Sequence, residues 1–513
     1  MFFHSIILTI ATAIIVISAI YKYYRCHTFW QRQGIKARYV PDFGWMREPM
    51  HEFFYREAKK FGNIFGIYGI GNSFLIMNDP KIAREISTKE FHKFPIRWGN
   101  YFGKTSVILS LVFIQDYDAW KRIRAIAAPA FTSAKLKAMI TPINNISNNF
   151  VNNLKKHAEN GEMFDMKIYT NALAMDVIAS CGFGIELNSI NEYNHPLVKH
   201  ALRIMNVDFT FSMIICMVFP SLGRFLDFDP VDRKSAKFFD DLTFKIIEDR
   251  LKRKNQRKNY KSKNFSIILI LIKVIFLSEK KDLIGLLVEQ TVNDNSESNE
   301  IDKKEQKLKG ISRKEIAGQV IGFFLAGYDT TNVALCHIIY YLIKHPEWQD
   351  KLYEELSTHD SSLDYESLRN LPILNGVIYE TLRLKPPVNY IPRFTNKDTT
   401  LLNTGIKIPA KTTILSHPYI IHRMPEYFPD PESFQPERFM GEKSMESSIA
   451  YMPFGLGNRF CVGMRFALIE LRAAVAHLIL NYRLLPDPNL KLDYYKGHFI
   501  LSPKQLMIRI AKR

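Results

Sequence analysis

The chain has 513 residues, 47% of them hydrophobic and 13% aromatic, so it can bury a large core. Length alone would allow about three domains, but no linker rich in proline, glycine or serine and no internal repeat divides the chain. The net charge of +18 admits nucleic acid, an anionic membrane or an acidic protein as a partner. No nucleic-acid motif accompanies it, so we expect no nucleic-acid partner and attribute the charge to a membrane surface. Five cysteines, without close pairs or metal-finger spacing, argue for a reducing compartment.

The amino terminus is apolar from Phe2 to Ile20 and is followed by Lys22 and Arg25. About 20 such residues can span a bilayer, and the basic flank places the following chain in the cytosol. A cleaved signal peptide would need a basic segment before the apolar run, which is missing, and a buried core helix is a third alternative. We predict a membrane anchor over residues 1–21, a linker over 22–45 and one domain over 46–513.

A small β region is predicted near the start of that domain. Ile64 to Met77 has the pattern of two short strands around the turn residues 69–72. Asp79-Pro80 then closes the hairpin and opens a helix.

Trp120 and Arg124 are four residues apart, which places them on one face of a predicted helix. By pattern alone, a surface helix with one aromatic residue is the favoured interpretation.

Two later segments are strongly apolar. Phe209 to Phe219 is explained by default as core packing. Phe265 to Leu277 has thirteen residues, which are too few to span a membrane. Because lysines flank this second run, it would be exposed and prone to aggregation unless something covers it.

A long central helix is predicted from the capping box Ser312 to Glu315, with apolar residues up to Ile343 and a stop at His345-Pro346. Its middle contains Ala326-Gly327-Tyr328-Asp329-Thr330-Thr331. Polar side chains there are costly unless they are paired or functional. A threonine that bonds back to the preceding turn is the structural alternative.

Glu380 and Arg383 have opposite charges three residues apart, a common helical pair that is worth a few tenths of a kcal/mol when it is exposed. The motif Phe434-Gln435-Pro436-Glu437-Arg438-Phe439 follows downstream.

The ten residues from Phe454 to Gly463 form a glycine-punctuated loop around Cys461, ahead of a predicted helix from Met464 to Ala476. The glycines let backbone N–H groups turn toward the sulfur, while Phe454 can shield it and Arg459 can meet an anionic group. For Cys461 alone, a buried free cysteine would be the better interpretation.

The ten-residue pattern as a whole resembles the haem-binding signature Phe-x-x-Gly-x-Arg-x-Cys-x-Gly of the cytochrome P-450 superfamily. The motifs at Trp120, Ala326, Glu380, Phe434 and Phe454 occur in the family's order, and the resemblance covers the chain after the anchor. It is greatest to the animal microsomal branch that oxidises xenobiotics and lipids. It implies a mainly α fold with a small β region, a cytochrome P-450 fold preceded by the transmembrane anchor.

The resemblance also implies the site. Cys461 would be the axial thiolate of the iron in haem b (iron protoporphyrin IX). Asp329 and Thr330 would act at the dioxygen site, with Asp329 relaying protons. The other haem-binding residues would be Trp120, Arg124, Arg393, Phe454, Arg459 and Gly463. Glu380, Arg383 and Arg438 would lock the core beside the cysteine loop. The late turn 497–502 would reach into the active site.

The implied reaction inserts one atom of dioxygen into a lipophilic substrate that resembles a xenobiotic, a steroid or a fatty acid. Electrons would come from NADPH through a flavoprotein reductase, with cytochrome b5 as a second candidate donor, at the endoplasmic reticulum membrane with the catalytic domain in the cytosol. Lys121 and Arg122 are candidates for steering an acidic reductase. Two alternatives remain open: a haem-thiolate isomerase or dehydratase acting on a peroxide without a reductase, and an inactive or misfolded product.

Residues 265–277 form an atypical apolar insertion, since members of the family usually continue directly to the stretch that Lys281 to Leu287 resembles. We hypothesise a retained intron or a gene-model error, with a membrane-contacting insertion as the alternative. Sequencing the transcript across this region tests the hypothesis. We expect a mature message without these codons, and a message that retains them would count against an artefact.

Overall fold

The computed structural model describes residues 12–14, 16–18, 20–21, 24, 28–39, 44–68, 73–97, 103–192, 195–205, 216, 220–229, 231–260, 284, 287–288, 310–358, 363–401, 404–441 and 444–513. The predicted insertion at 265–277 lies outside these ranges, as does 209–219 apart from Cys216. The predicted anchor at 1–21 also lies largely outside them. Within the described ranges, we find no helix that is long and apolar enough to cross a membrane.

Helices dominate the structure, as predicted. The α-helices are α1 (Gly44–Arg47), α2 (Met50–Phe61), α3 (Pro80–Ser87), α4 (Tyr117–Ala127), α5 (Ser133–Asn153), α6 (Lys155–Asn160), α7 (Met166–Phe183), α8 (Pro196–Met205), α9 (Pro220–Phe225), α10 (Arg233–Tyr260), α11 (Arg313–Lys344), α12 (Pro346–Thr358), α13 (Tyr365–Arg369), α14 (Pro372–Leu384), α15 (Pro418–Ile421) and α16 (Met464–Asn481). Single turns of 3-10 helix cover Phe91–Lys93, Ser106–Leu109, Ala128–Phe131, Pro436–Phe439, Met445–Ser447 and Gly457–Arg459.

The strands are short and form one five-stranded sheet and three small pairs. They are β1 (Ala37–Tyr39), β2 (Ile64–Tyr68), β3 (Ser73–Met77), β4 (Phe164–Asp165), β5 (Ile391–Phe394), β6 (Thr399–Thr400), β7 (Lys407–Ile408), β8 (Thr413–Ser416), β9 (Tyr482–Leu484), β10 (Met507–Ile508) and β11 (Ile510–Lys512). The order in the large sheet is β1-β2-β3-β8-β5, and the pairs are β4 with β10, β6 with β7, and β9 with β11. The predicted hairpin is confirmed, since β2 and β3 pair antiparallel with Ile64 opposite Met77.

Local sequence explains where the key helices begin and end. The side chain of Asp79 accepts hydrogen bonds from the N–H groups of Lys81 and Ile82, which caps α3 as predicted. The capping box of Ser312 and Glu315 is present at the start of α11, and the helix ends before His345. Helix α11 packs against α7, α10, α14 and α16 and so forms the centre of the main core.

Part of the range predicted as a linker is packed on the body. Ala37–Tyr39 forms β1 and pairs parallel with β2. Trp30 is fully buried, and its ring lies so close to Gly66 that a side chain at that position would collide with it. The packed body therefore begins before residue 46.

The predicted triad of Glu380, Arg383 and Arg438 is confirmed, and it ties α14 to the segment that precedes the cysteine loop. Arg383 donates two hydrogen bonds to the Glu380 carboxylate, at 2.7 and 2.8 Å, and both side chains are fully buried. The second cation, Arg438, has its Nε 3.5 Å from Glu380 Oε1. Arg383 also donates to the carbonyl oxygens of His422, Pro431 and Ser433.

We predict that E380Q lowers the free energy of unfolding by about 3–5 kcal/mol, because it leaves two buried cations without their counter-charge. Denaturant unfolding measures the effect. The matched control is E366Q, which weakens the exposed ion pair of Glu366 with Lys137 at 2.7 Å and should lower the free energy of unfolding far less. Equal effects of the two substitutions would contradict the structural role of Glu380.

Candidate active site

A cavity of about 460 Å³ lies between α4, α7, α11, β5, the cysteine loop and the turn near residue 499. A cavity of this size suits a small-molecule or cofactor site. All nine residues predicted for the site line it: Trp120, Arg124, Asp329, Thr330, Arg393, Phe454, Arg459, Cys461 and Gly463. Their roles are not given by position alone and stay predictions.

The cysteine loop is held by its own backbone. The Cys461 N–H donates to the Phe454 carbonyl at 2.9 Å, and the Gly463 N–H donates to the Cys461 thiol. Gly457 has a φ of 60°, and a β-carbon there would collide with the Ser87 carbonyl, so only glycine fits. The loop thereby presents the sulfur of Cys461 to the cavity.

Opposing effects act on the acidity of Cys461. Burial raises the pKa of the thiol, while the Gly463 N–H and the positive charges of Arg97 and Arg124 lower it. Burial is the larger effect. A thiolate in this position is therefore best satisfied by a cation that binds the sulfur directly, as a metal ion does.

Four arginines, Arg97, Arg124, Arg393 and Arg459, line the same cavity. Among the described residues, their hydrogen bonds go mainly to backbone carbonyls. Arg97 donates to the Arg459 carbonyl at 2.5 Å, and Arg124 donates to the Phe460 carbonyl at 2.8 Å. Arg393 donates to the carbonyls of Pro392 at 2.9 Å and Leu456 at 3.2 Å, and Arg459 donates to that of Pro95 at 3.0 Å.

This cluster is unbalanced in charge. Burial lowers the pKa of Arg459 to about 8, and the charges of Arg97, Arg393 and Arg124 add to the effect. Arg393 Nε and Arg459 Nη2 are buried without a hydrogen-bond partner, and in the described part of the chain no carboxylate forms an ion pair with any of the four. Donors of this kind fit a ligand that carries carboxylates, such as the propionates of a haem. The thiol and the arginines together fit a haem.

Trp120 and Arg124 share one face of α4, as predicted, and both contact the cysteine loop. The Arg459 guanidinium lies 4.2 Å from the ring centroid of Trp120, and the Arg124 guanidinium lies 4.9 Å from that of Phe460. The surface-helix alternative is therefore wrong, because Trp120 is only 5% exposed.

On α11 the two polar residues differ in their partners. The Thr330 hydroxyl donates to the Ala326 carbonyl at 2.5 Å, which is the back-bond to the preceding turn that the sequence left open. Asp329 is half-buried, and burial raises its pKa to about 6, against the opposing charge of Lys167. Gly327 faces Ile178 of α7, whose Cδ1 would lie 3.0 Å from an added β-carbon.

Sequence reasoning missed two charged groups at this site. Arg97 was not predicted, since nothing in its sequence neighbourhood reveals that it joins three distant arginines. Glu470 of α16 is fully buried and hydrogen-bonds Thr331, a cavity residue, and burial raises its pKa well above the usual range. An acidic residue within an otherwise apolar helix face was the available indication.

The proposed docking role of Arg122 meets an obstacle. Its Nη2 lies 2.5 Å from Glu315 Oε1, and its Nη1 donates to the Gly310 carbonyl. Arg122 therefore ties α4 to the capping box of α11, and only Lys121 is exposed. The sequence could not reveal a partner 193 positions away.

A mainly helical chain in which a buried thiol and four arginines without an ion-pair partner among the described residues line one cavity fits a haem-thiolate protein. The chain belongs to the cytochrome P450 family, whose model matches residues 39–510. It is a cytochrome P450 monooxygenase with a haem-thiolate iron cofactor. Membership implies a redox partner, dioxygen and a lipophilic substrate.

Similar proteins cover most of the chain. Lithocholate 6-beta-hydroxylase of Mesocricetus auratus is 32% identical over 83% of this chain and 80% of its own length. Cytochrome P450 3A41 of Mus musculus is 29% identical over 97% and 95%, respectively. Cytochrome P450 3A28 of Bos taurus is 30% identical over 98% and 95%.

We predict that D329N stabilises the protein at neutral pH. Burial raises the pKa of Asp329 from 3.8, the value expected in the unfolded chain, to about 6 in the folded protein. Between these two pH values the unfolded chain ionises more readily than the folded protein, so the carboxyl group lowers the free energy of unfolding as the pH rises. The stability advantage of D329N should grow from about pH 4 to about pH 6 and then stay constant, at about 1–2 kcal/mol after allowance for water in the cavity.

Unfolding of both proteins at a series of pH values measures this difference. D241N, which alters an exposed carboxylate on α10, is the control and should not change the pH profile. A D329N advantage that is the same at all pH values would contradict the raised pKa.

Proposed function

We propose that this cytochrome P450 inserts one oxygen atom into a lipophilic organic substrate, with Cys461 as the axial ligand of haem b. The single observation that supports this proposal is the shared cavity of the Cys461 thiol and four arginines without a carboxylate partner. When bound there, a thiolate-ligated haem supplies dioxygen activation and oxygen transfer.

The arginines and Trp120 would hold the propionates. Arg393 and Arg459 each have a buried nitrogen without a partner, so they are the best placed to donate to a carboxylate. Arg97 and Arg124 would balance both the propionates and the thiolate, since their charges act on Cys461. Phe454 and Gly463 would complete the loop, with the Gly463 N–H directed to the sulfur.

Asp329 and Thr330 would take part in proton transfer to the dioxygen site. A carboxyl group with a pKa of about 6 can both hold and release a proton near neutral pH. The Thr330 hydroxyl already donates to the Ala326 carbonyl, so its oxygen is left to accept a hydrogen bond from water or substrate. Asp329 is therefore the first proton donor, and Thr330 positions the water or substrate molecule that hydrogen-bonds its oxygen.

The remaining cavity wall indicates the substrate. It is largely aromatic and aliphatic and includes Phe113, Phe131, Ile178, Phe323, Leu325, Val388, Phe499 and Ile500. Among the described lining residues, Asp329 is the acidic one, so a substrate would be held mainly by apolar contact. A xenobiotic, a steroid or a fatty-acid-like molecule fits these walls, and one relative is named for hydroxylating lithocholate.

Electrons would come from NADPH through a flavoprotein reductase, with cytochrome b5 as a second candidate donor. Lys121 is exposed on α4, the helix whose Trp120 and Arg124 contact the cysteine loop, and can attract an acidic partner. The apolar amino terminus would anchor the enzyme to the endoplasmic reticulum membrane as residues 1–21, with the catalytic body in the cytosol. An isomerase acting on a peroxide needs neither a reductase nor the Asp329 carboxylate.

The test is the difference spectrum of the reduced, carbon-monoxide-bound protein, together with oxygen uptake linked to NADPH. We expect the red-shifted Soret band of a thiolate-ligated haem in the wild type and its complete loss in C461S. C181S is the matched control, because Cys181 lines the same cavity from α7. It should keep the band.

Loss of the band in C181S with retention in C461S would overturn the assignment of the ligand. A wild-type band without any oxygen uptake from NADPH and a reductase, combined with turnover of a peroxide, would favour the isomerase.

A further inference from the structure

We propose that His422 is a positioning residue for the cysteine ligand: its neutral imidazole connects the buried Glu380–Arg383 pair to the start of the loop that carries Cys461. The inference rests on the proposed role of Cys461. It assigns to a fully buried histidine outside the cavity lining the role of fixing the position of the thiolate.

His422 directly follows α15 and is completely buried. Its ring stacks on Tyr451, with centroids 5.6 Å apart and an angle of 24° between the planes. The edge of Phe428 approaches at 6.0 Å. The two aromatic rings, Tyr451 and Phe428, therefore hold the imidazole in a fixed orientation.

The partners of the two ring nitrogens fix the tautomer. Nδ1 lies 2.8 Å from the Arg383 carbonyl oxygen, which can only accept a hydrogen bond, so Nδ1 carries the proton. Nε2 lies 2.9 Å from the Met452 backbone nitrogen, which can only donate, so Nε2 is unprotonated. Burial lowers the pKa of His422 to about 3, in agreement with a neutral ring.

The connection on the first side is reciprocal. Arg383 Nη1 donates to the His422 carbonyl at 2.8 Å while His422 Nδ1 donates to the Arg383 carbonyl. The histidine and the arginine therefore hold each other by both backbone and side chain. Since Glu380 fixes Arg383, the position of the ring depends on an ion pair whose two side chains are fully buried.

On the second side the connection runs into the cysteine loop. The Met452 carbonyl accepts from the Gly455 N–H at 3.1 Å, and the Phe454 carbonyl accepts from the Cys461 N–H at 2.9 Å. Met452, Phe454 and Cys461 all line the cavity. A displacement of the Met452 amide would therefore move Phe454 and Gly455, and with them the backbone of Cys461. Tyr451 supplies a neighbouring link through its hydroxyl, which donates to the Tyr379 carbonyl at 3.1 Å, so His422 shares the connection to α14 with other residues.

A metal ligand must be held within a few tenths of an ångström to keep its bond, which is why such a link bears on function. A histidine with one donor and one acceptor satisfies the Arg383 carbonyl and the Met452 N–H at once.

The experiment separates the two halves of the link. In H422N the amide nitrogen replaces Nδ1 and the acceptor for Met452 is lost. In H422Q the amide oxygen replaces Nε2 and keeps that acceptor. We expect H422Q to retain the thiolate Soret band of the reduced carbon-monoxide complex, and H422N to lose most of it and to shift the midpoint potential of the haem iron.

The control is H477N. His477 is a comparably buried histidine with its Nε2 3.2 Å from Asn144 Oδ1, and it lies roughly 20 Å along α16 from the start of that helix. H477N should keep both the band and the potential. If H422N, H422Q and H477N all match the wild type, the inference is overturned, and His422 only fills space.

A second measurement determines the tautomer directly. Selective ¹⁵N labelling of histidine in the carbon-monoxide-bound wild type, with the signal of His422 among the 14 histidines assigned by its absence from the spectrum of H422Q, should show a neutral ring with the proton on Nδ1, unchanged over the pH range in which the protein is folded. An Nε2-protonated or titrating ring would overturn the inference even if H422N fails to fold. If the wild type lacks the thiolate band, the proposed function fails first, and the tautomer measurement on the cofactor-free protein still tests the link from Arg383 to Met452.

Discussion

The position of the cysteine loop in the active site depends on the ion pair of Glu380 with Arg383. Removing two charges from water is costly, and Coulomb attraction alone does not offset that cost. Here the hydrogen-bonding capacity of both groups is used: Arg383 donates to three backbone carbonyls, and Glu380 Oε1 accepts the Gln435 N–H at 2.9 Å. The pair therefore holds α14 and the irregular segment from residue 422 to residue 435 together. Residues 436–453 connect that segment to the cysteine loop, so the position of the loop depends on residues some 80 positions earlier in the chain.

Elements whose ends depend on neighbouring residues could be predicted from the sequence. The capping box at Ser312, the stop at His345-Pro346, the Asp79 cap and the hairpin from Ile64 to Met77 are all local, and the structure has them where the pattern places them. Strand β1 could not be predicted, because its three residues become a strand only by pairing with β2, which is nearly thirty positions away. The same holds for Trp30, whose burial depends on the absence of a side chain at Gly66.

The candidate site follows the same division. Cys461 and the residues around it share one loop, so the family resemblance could be recognised from that loop. The resemblance then implied the role of Cys461 and added Trp120, Arg124, Asp329, Thr330 and Arg393. Arg97 was missed because its importance comes from three other arginines that lie far away in the sequence. Arg122 was assigned to a docking face because its partner Glu315 is 193 positions away. For Thr330 the sequence did give the correct alternatives, a back-bond to the preceding turn or a functional role. It could not tell which atom the hydroxyl contacts.

Four guanidinium groups around one cavity have a consequence for how the enzyme is made. Their positive charges repel one another, which opposes the folding of the chain around the cavity. A bound ligand with negative charge would remove this opposition. An anionic cofactor that binds only the closed form shifts the folding equilibrium by mass action. Cofactor loading and the last stage of folding are then a single thermodynamic event. The amount of mature enzyme in a cell would follow the supply of haem as well as the supply of messenger RNA, and chains made during a shortage would be the first to reach the proteases.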